Sequence, residues 1–250
     1  MIPESRPLTP TEIEQTVNQY DWYHRIELAD GIFTPGQYDL APILANYGLP
    51  DDMRGMTVLD IGPAHGFFAF EFERRGAIVT TAELPSWSEH DASPNLQREF
   101  DRAGSAPEAY HRGAFGFAIQ ARGSRLNRLF CNIYDLTPER VGMHDLVFCA
   151  SVLLHLTDPL RALFAMRKVC KHEAIVCTGI DTAPHTATEP RALFVGQANG
   201  QAFWLPSVVC LQQMVRAAGF ARCERVSTFH LKSVDGVFDT PHGTVRAFVE

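Results

Sequence analysis

The segment that most constrains the fold of this chain is residues 57–67, which read Thr-Val-Leu-Asp-Ile-Gly-Pro-Ala-His-Gly-Phe. Its β-branched and apolar beginning predicts a buried strand, and Gly62 and Gly66 predict a tight turn that opens directly into a helix. Glycines at such a turn allow the backbone to approach a bound nucleotide-like molecule. The segment therefore predicts an α/β nucleotide-binding fold.

The remainder of the chain continues this alternation of strands and helices, which is typical of crossover connections in a mostly parallel sheet. We predict a Rossmann-like, mostly parallel seven-stranded sheet that ends in a C-terminal antiparallel hairpin. The predicted strands are Thr57–Ile61, Ile78–Glu83, Leu129–Ile133, Asp145–Ala150 and Ala174–Ile180, followed by the hairpin Arg222–His230 and Gly243–Val249, and the predicted helices are Gly66–Arg75, Pro159–Val169 and Ser207–Ala218.

Two regions lie outside this alternation. Residues 1–55 contain a predicted helix over Thr9–Tyr20 with a capping-box sequence at its start, and residues 84–128 form a long insert with helical character over Pro107–Arg122. Extra segments of α/β enzymes usually return to the carboxyl edge of the sheet and build the substrate pocket. We expect one domain over residues 1–250, with both regions contributing to that pocket.

Composition excludes several classes of protein. The net charge of −7 disfavours attraction to nucleic acid or to an anionic membrane surface. The six cysteines occur singly, without a Cys-x-x-Cys pair, which predicts reduced core residues. The N-terminal sequence has no apolar leader segment, and no apolar run approaches the roughly 18 residues of a membrane span. We therefore expect a cytoplasmic protein with a small-molecule partner, and its oligomeric state stays open.

The turn itself distinguishes between cofactors. A dinucleotide fingerprint has a central glycine that seats the pyrophosphate, whereas here Pro63, Ala64 and His65 separate the two glycines. S-adenosylmethionine has no pyrophosphate, so the missing glycine favours S-adenosylmethionine. Glu83 ends the second predicted strand, where its carboxylate can accept hydrogen bonds from both ribose hydroxyls.

Other cofactor contacts are expected from the ends of neighbouring strands. Asp135 follows the third predicted strand and is a candidate for the adenine amino group, although it is equally placed to cap the helix that begins near Pro138. Trp87 is placed either to stack on the adenine or to line the insert. The predicted cofactor-binding residues are Asp60, Gly62, Pro63, Gly66, Glu83, Leu84, Trp87, Tyr134, Asp135, Ala150 and Ser151.

The stretch from His144 to Leu160, His-Asp-Leu-Val-Phe-Cys-Ala-Ser-Val-Leu-Leu-His-Leu-Thr-Asp-Pro-Leu, resembles the fourth strand and following loop of class I S-adenosylmethionine-dependent methyltransferases. Together with Phe203–Ser207 and Pro241–Ala247, it resembles more narrowly the group that contains the tRNA wobble-uridine carboxymethyl-transferring enzymes. The resemblance extends over about residues 20–250. It implies the methyltransferase sheet and its C-terminal hairpin.

The departures from that group concern a carboxylate on the cofactor. The group binds a carboxylated form of S-adenosylmethionine, and its pattern has a lysine before the first strand and a Tyr and an Arg on either side of the loop histidine. In this chain every lysine follows the cofactor turn, and Leu154 and Leu156 flank His155. Only Arg246 remains of the basic set. Because a buried carboxylate without cations is costly, ordinary S-adenosylmethionine is favoured.

Methyl transfer from a sulfonium requires alignment and, for a hydroxyl acceptor, a base. His155, past the fourth strand, and His24, in an aromatic and charged segment, are the two candidate bases. The alternatives are that His155 only bonds the loop backbone and that the segment around His24 only docks on the domain. The predicted acceptor-side residues are Trp22, Tyr23, Glu27, Trp204 and Arg246, and a requirement for magnesium is left undetermined.

Three functions are compatible with these features. The first is an O-methyltransferase that acts on a hydroxyl of a small molecule, with a sugar, oligosaccharide or natural product as the favoured acceptor. The second is a tRNA-modifying methyl- or carboxymethyltransferase, which the arginine-containing insert and the resemblance keep open. The third is a non-catalytic binding protein, which an intact cofactor turn with Glu83 and Asp135 argues against.

Overall fold

The computed structural model describes residues 8–85, 87–103, 106–197 and 202–250. Its central sheet has seven strands, and the prediction of this sheet is confirmed. They are β1 (Thr57–Ile61), β2 (Ile78–Glu83), β3 (Asn127–Phe130), β4 (His144–Ala150), β5 (Cys170–Gly179), β6 (Arg222–Lys232) and β7 (Asp239–Phe248). The spatial order is β6-β7-β5-β4-β1-β2-β3, and β7 is antiparallel to both of its neighbours.

Seven α-helices are described, and they lie where strands must cross over or where the two extra regions pack. They are α1 (Pro10–Val17), α2 (Phe67–Arg74), α3 (Pro94–Ala103), α4 (Ala106–Arg122), α5 (Pro138–Val141), α6 (Pro159–Val169) and α7 (Val208–Ala217). Short two-stranded pairs join Glu27–Ala29 to Ile32–Phe33 and Ala192–Phe194 to Trp204–Pro206.

The third strand differs from its prediction. It covers Asn127–Phe130, whereas the apolar run predicted a strand over Leu129–Ile133. The Asn132 side chain accepts a hydrogen bond from the Tyr134 amide at 3.1 Å and so starts a 3-10 turn over Ile133–Asp135. A capping asparagine therefore ends the extended backbone before the apolar run ends. The insert also holds two helices, α3 and α4, instead of the one predicted.

The sheet is covered on both faces by buried apolar side chains. Alternate β4 residues show this division, because Val147 packs with α6 and α7, whereas Leu146 and Phe148 pack with α2 and α4. The N-terminal segment joins the second cluster through Tyr47, whose ring lies 6.3 Å from that of Phe148. The segment is thereby fixed beside the carboxyl edge of the sheet.

All six cysteines are unpaired thiols, and five of them are buried, as predicted for core residues. No helix in the described part of the chain combines the length and apolarity needed to span a bilayer. The division into one domain with two pocket-forming regions stays a prediction.

Candidate functional site

A cavity of about 700 Å³ lies where the carboxyl ends of the parallel strands meet the two extra regions. One end, the cofactor end, is formed by the residues that follow β1, β2, β3 and β4. The other, the acceptor end, is formed by the N-terminal segment together with α2, β4 and β6; its lining residues are Tyr23, His24, Gln37, Tyr38, Leu40, Tyr47, Phe68, Phe148 and Leu231. The insert contributes further lining over the cavity.

The cofactor turn has the backbone that its glycines predict. Gly62 has φ +70°, and a Cβ added there would lie 2.6 Å from Cγ2 of Val152. Gly66 has φ +90°, and a Cβ there would lie 2.2 Å from the Phe115 ring. Gly62 lines the cavity, whereas Gly66 is the N-cap of α2 and is not among the described lining residues. Both glycines are therefore required sterically, one by the cavity wall and one by helix packing.

Asp60 is the last carboxylate before the turn and lies buried at the cofactor end. Its Oδ2 has no hydrogen-bond partner in the described part of the chain. Burial, with a further contribution from nearby Glu83, raises the pKa of Asp60 to about 8. A buried, unpartnered carboxyl oxygen beside a glycine turn fits a cationic group such as the ammonium of S-adenosylmethionine.

Glu83 ends β2 and lines the cavity, as predicted, but it is already paired. Arg128 of β3 binds it through two hydrogen bonds, one of which joins Nη2 to Oε2 at 2.9 Å. The Arg128 guanidinium also lies 4.8 Å from the centre of the Phe115 ring. The carboxylate keeps lone pairs that can accept from ribose hydroxyls. Arg128 thus orients Glu83, a role that sequence reasoning did not predict.

Most other predicted cofactor residues also line the cavity. These are Pro63, Leu84, Tyr134, Ala150 and Ser151. The Trp87 backbone begins a 3-10 turn, but its side chain lies outside the described residues. Asp135, which was predicted to contact the adenine, is not among the described lining residues. The early end of β3 carries it past the cavity, where it is half exposed and 3.5 Å from Nη1 of Arg140.

The two candidate bases both line the cavity but in different surroundings. His24 is buried in the N-terminal segment, and its ring centre is 4.9 Å from that of Tyr23 and 5.9 Å from that of Phe67. His155 lies in the turn after β4, with its ring centre 6.2 Å from that of His90 in the insert. His24 therefore belongs to the acceptor end, and His155 faces the insert.

Of the predicted acceptor-side residues, Tyr23 lines the cavity and two neighbours in the same segment do not. Trp22 is buried in the core, where its Nε1 donates to the Val17 carbonyl at 2.7 Å. Glu27 is exposed, and its Oε1 accepts from the Gly31 amide at 3.2 Å, closing a turn. Core packing and turn closure account for these two side chains.

Trp204 and Arg246 are also placed elsewhere. Trp204 donates from Nε1 to the Thr157 carbonyl at 3.2 Å and lines a separate cavity of about 280 Å³. Arg246 forms two hydrogen bonds with Glu173, of 2.7 and 2.9 Å. Because Glu173 lies near the start of β5, this pair sits toward the amino edge of the sheet, opposite the site.

Sequence reasoning did not predict the contacts that hold the extra regions over the site. His65, fully buried between the two glycines, accepts a hydrogen bond from the Tyr23 amide at its Nδ1, at 2.8 Å. In the insert, one oxygen of Asp91 accepts from the Tyr134 hydroxyl and from the amide and hydroxyl of Thr157. The one sequence signal for these contacts was His65, because it is a polar residue inside the glycine turn.

The described residues contain no group of three or more His, Cys, Asp or Glu side chains arranged to hold a metal ion. A requirement for magnesium therefore stays undetermined, as in the sequence analysis. The cavity has acidic side chains at one end and aromatic hydroxyls at the other.

Comparison with curated proteins finds low but significant similarity to methyltransferases. The chain is 26% identical over 162 residues to the ubiquinone biosynthesis O-methyltransferase of Vibrio campbellii, a match that covers 64% of this chain and 57% of that protein. It is 26% identical over 174 residues to the tRNA U34 carboxymethyltransferase of Dichelobacter nodosus, covering 66% and 46%. The chain thus spans about half the length of the curated relatives it matches. No protein-family model matches it.

Among solved structures, the N-terminal domain of EvdMO1, crystallised with SAH and D-fucose, is similar over 98% of both chains, with a TM-score of 0.65 at 16% identity. A likeness at this identity shows the fold. The cofactor turn and the curated relatives together support a class I S-adenosylmethionine-dependent methyltransferase that resembles the tRNA-modifying members of that class.

Proposed function

We propose that this chain is an O-methyltransferase that transfers the methyl group of S-adenosylmethionine to a hydroxyl of a small molecule, such as a sugar, an oligosaccharide or a natural product. The observation that carries the proposal is that one cavity, of about 700 Å³, joins the cofactor turn to an aromatic, hydroxyl-bearing end. Its volume lies within the roughly 300–1,000 Å³ of small-ligand sites. The EvdMO1 domain, which was crystallised in the presence of SAH and D-fucose, and the curated relative named as an O-methyltransferase support a hydroxyl acceptor.

The residues of the cofactor end fit S-adenosylmethionine, which supplies an activated methyl group on a sulfonium when bound. Asp60 would hold the ammonium group, and this contact would satisfy the orphaned Oδ2. Glu83, oriented by Arg128, would accept from the ribose hydroxyls. Gly62 leaves open the wall that a side chain would fill.

The acceptor hydroxyl must lose a proton as the new bond forms. Burial raises the pKa of Tyr47, and burial together with Asp235 raises that of Tyr38, so both phenols stay protonated and act as hydrogen-bond donors. Tyr23 is the third phenol of this end, and an ordinary phenol is not deprotonated until about pH 10, so the His24 imidazole is the better proton acceptor among the described residues. We assign His24 as the base and keep His155 as the alternative.

The test is methyl transfer by the purified protein. S-adenosylmethionine with a labelled methyl group is offered with a panel of neutral sugars, glycosides and phenols, and mass spectrometry locates the transferred methyl group. We expect labelled methyl on an oxygen of at least one compound. A protein that binds SAH, the demethylated cofactor, but methylates no hydroxyl in the panel would contradict the proposal.

A tRNA-modifying activity is the second candidate, because a tRNA U34 carboxymethyltransferase is among the relatives. The insert arginines that favoured it are partly engaged within the protein: Arg112 donates to the Leu84 and Pro85 carbonyls, Arg122 to that of Glu27, and Arg128 binds Glu83. A gel shift with total tRNA at two salt concentrations separates the candidates, since phosphate binding weakens steeply with salt.

A further inference from the structure

The acceptor end of the cavity contains no Lys, Arg, Asp or Glu side chain among the residues that the structure describes. Its polar groups are the phenols of Tyr23, Tyr38 and Tyr47, the Gln37 amide and the His24 imidazole, and apolar side chains complete the wall. Tyr47 is almost fully buried, at 1% exposure. An acceptor that enters this end therefore loses water and gains neutral hydrogen-bond partners and aromatic surface.

Two arginine side chains near the cavity, Arg112 and Arg25, already have partners within the protein. Arg112 is the one Lys or Arg side chain in the described lining, and its Nη2 donates to the carbonyls of Leu84 and Pro85, while its guanidinium lies 4.4 Å from the centre of the Phe130 ring. Arg25 is 3.6 Å from Asp39 and lies over the Phe33 ring. Neither guanidinium is aimed at the acceptor end.

Carboxylates, by contrast, occur along the rest of the lining. Asp60 and Glu83 lie at the cofactor end, and Glu89, Asp91 and Glu99 of the insert line the cavity as well. A cationic cofactor is favoured in these surroundings. An anionic acceptor would be desolvated at the acceptor end without a cationic partner, which is strongly unfavourable.

We infer that the acceptor is an uncharged hydroxylated ring compound, of the class of neutral sugars, glycosides and phenols, and that phosphorylated, nucleotide-linked and carboxylated forms are excluded. This inference rests on the proposed function, because it takes the acceptor end to hold the methyl acceptor. It assigns specificity to the absence of a cation rather than to any single recognition contact.

The experiment compares pairs of related sugars, each with one neutral and one anionic member. The SAH-loaded protein is titrated with D-fucose and D-fucose 1-phosphate, and with glucose and glucuronic acid, and methyl transfer to each is measured with S-adenosylmethionine. We expect the neutral member of a methylated pair to be at least tenfold better in both assays. Equal or better binding and methylation of the anionic member would overturn the inference and leave the O-methyltransferase function standing. Methylation of neither member of any pair, with SAH bound, would contradict the function itself.

A variant tests the charge argument from the opposite side. Gln37 lines the acceptor end, and its backbone hydrogen bonds do not depend on its side chain. Gln37→Lys should improve relative binding of the anionic member of each pair at least tenfold, while affinity for SAH is unchanged. Gln37→Leu is the matched control and should produce no such shift. No shift with Gln37→Lys, in protein that still binds SAH, would count against the inference.

Discussion

The two ends of the cavity are built in different ways. At the cofactor end, the contacts come from the carboxyl ends of strands and the turns that follow them, so Asp60, Gly62 and Glu83 lie there because β1 and β2 are adjacent and parallel. At the acceptor end, the N-terminal segment is held by residues nearly two hundred positions away, since the Ser227 hydroxyl donates to the Asn46 carbonyl at 2.6 Å and the Val234 amide to the Gln37 carbonyl at 2.8 Å.

The two ends also differ in charge, and this difference follows from their partners. The cofactor end presents carboxylates to a cofactor with cationic groups, whereas the acceptor end presents phenols, an amide and an imidazole. Under the proposed function, donor binding depends on the sheet and its turn, and acceptor choice depends on the added segment. Changes at one end should leave the function of the other largely intact, and this separation can be tested.

The largest expected effect separates the two candidate bases. Loss of a general base typically lowers a rate by about 10²–10⁴-fold, so His24→Gln should lower kcat by about 1,000-fold without changing the Kd for SAH. His155→Gln, at the insert side, should change kcat by less than about tenfold. Steady-state kinetics on an acceptor from the panel gives both numbers, and the reverse ranking would make His155 the base.

The next effect is confined to the cofactor end. Gly62→Ala adds a Cβ 2.6 Å from Val152 at a backbone φ of +70°, and we expect affinity for SAH to fall by about 100-fold. Gly31→Ala is the matched control, because Gly31 has φ +73° but open space around the added Cβ. Calorimetric titration measures both variants. An equal loss in both would show that backbone strain, and not the cavity wall, sets the affinity.

The ionisation of Asp60 at the cofactor end should make the stability of the protein depend on pH. The folded protein retains the Asp60 proton up to about pH 8, whereas an unfolded chain releases it near pH 4. Between these values the unfolded state binds fewer protons, so this group lowers the free energy of unfolding as pH rises from about 4 to 8. Asp60→Asn removes the effect, so between pH 5 and pH 8 its free energy of unfolding should rise by about 4 kcal/mol relative to that of the natural protein.

Urea unfolding at the two pH values measures that difference. The same variant should bind SAH about tenfold more weakly at pH 8, because the ammonium loses its carboxylate partner. Stability that responds to pH equally in both proteins would show that Asp60 is not the titrating group.

The smallest effect tests the link between the two ends. His65→Phe removes the acceptor of the Tyr23 amide, and loss of one hydrogen bond of about 1 kcal/mol should raise the acceptor KM roughly fivefold. His65→Asn keeps an oxygen that can accept and should recover most of the loss. Amide hydrogen exchange at Tyr23, with and without SAH, reports the bond directly. Identical behaviour of the two variants would mean that His65 only fills space.

The sequence predicted those parts of the site that depend on residues close together in the chain. The strand boundaries of β1 and β2, the glycine turn and the position of Glu83 were all predicted, because each depends on a few neighbouring residues and their backbone preferences. The predicted position of β3 was wrong, because one hydrogen bond accepted by the Asn132 side chain outweighed the apolar pattern. Asp135 left the cavity for the same reason.

Tertiary structure alone decided which aromatic and charged residues reach the acceptor end. Trp22, Trp204 and Arg246 have the residue types of an acceptor site, but core packing, the second cavity and an ion pair with Glu173 hold them elsewhere. Gln37, Tyr38 and Tyr47 reach it because long-range contacts place their segment there. Sequence by itself determined the fold and the donor turn, since these follow from local backbone and burial patterns. The acceptor end depends on contacts between distant segments, which no local pattern encodes.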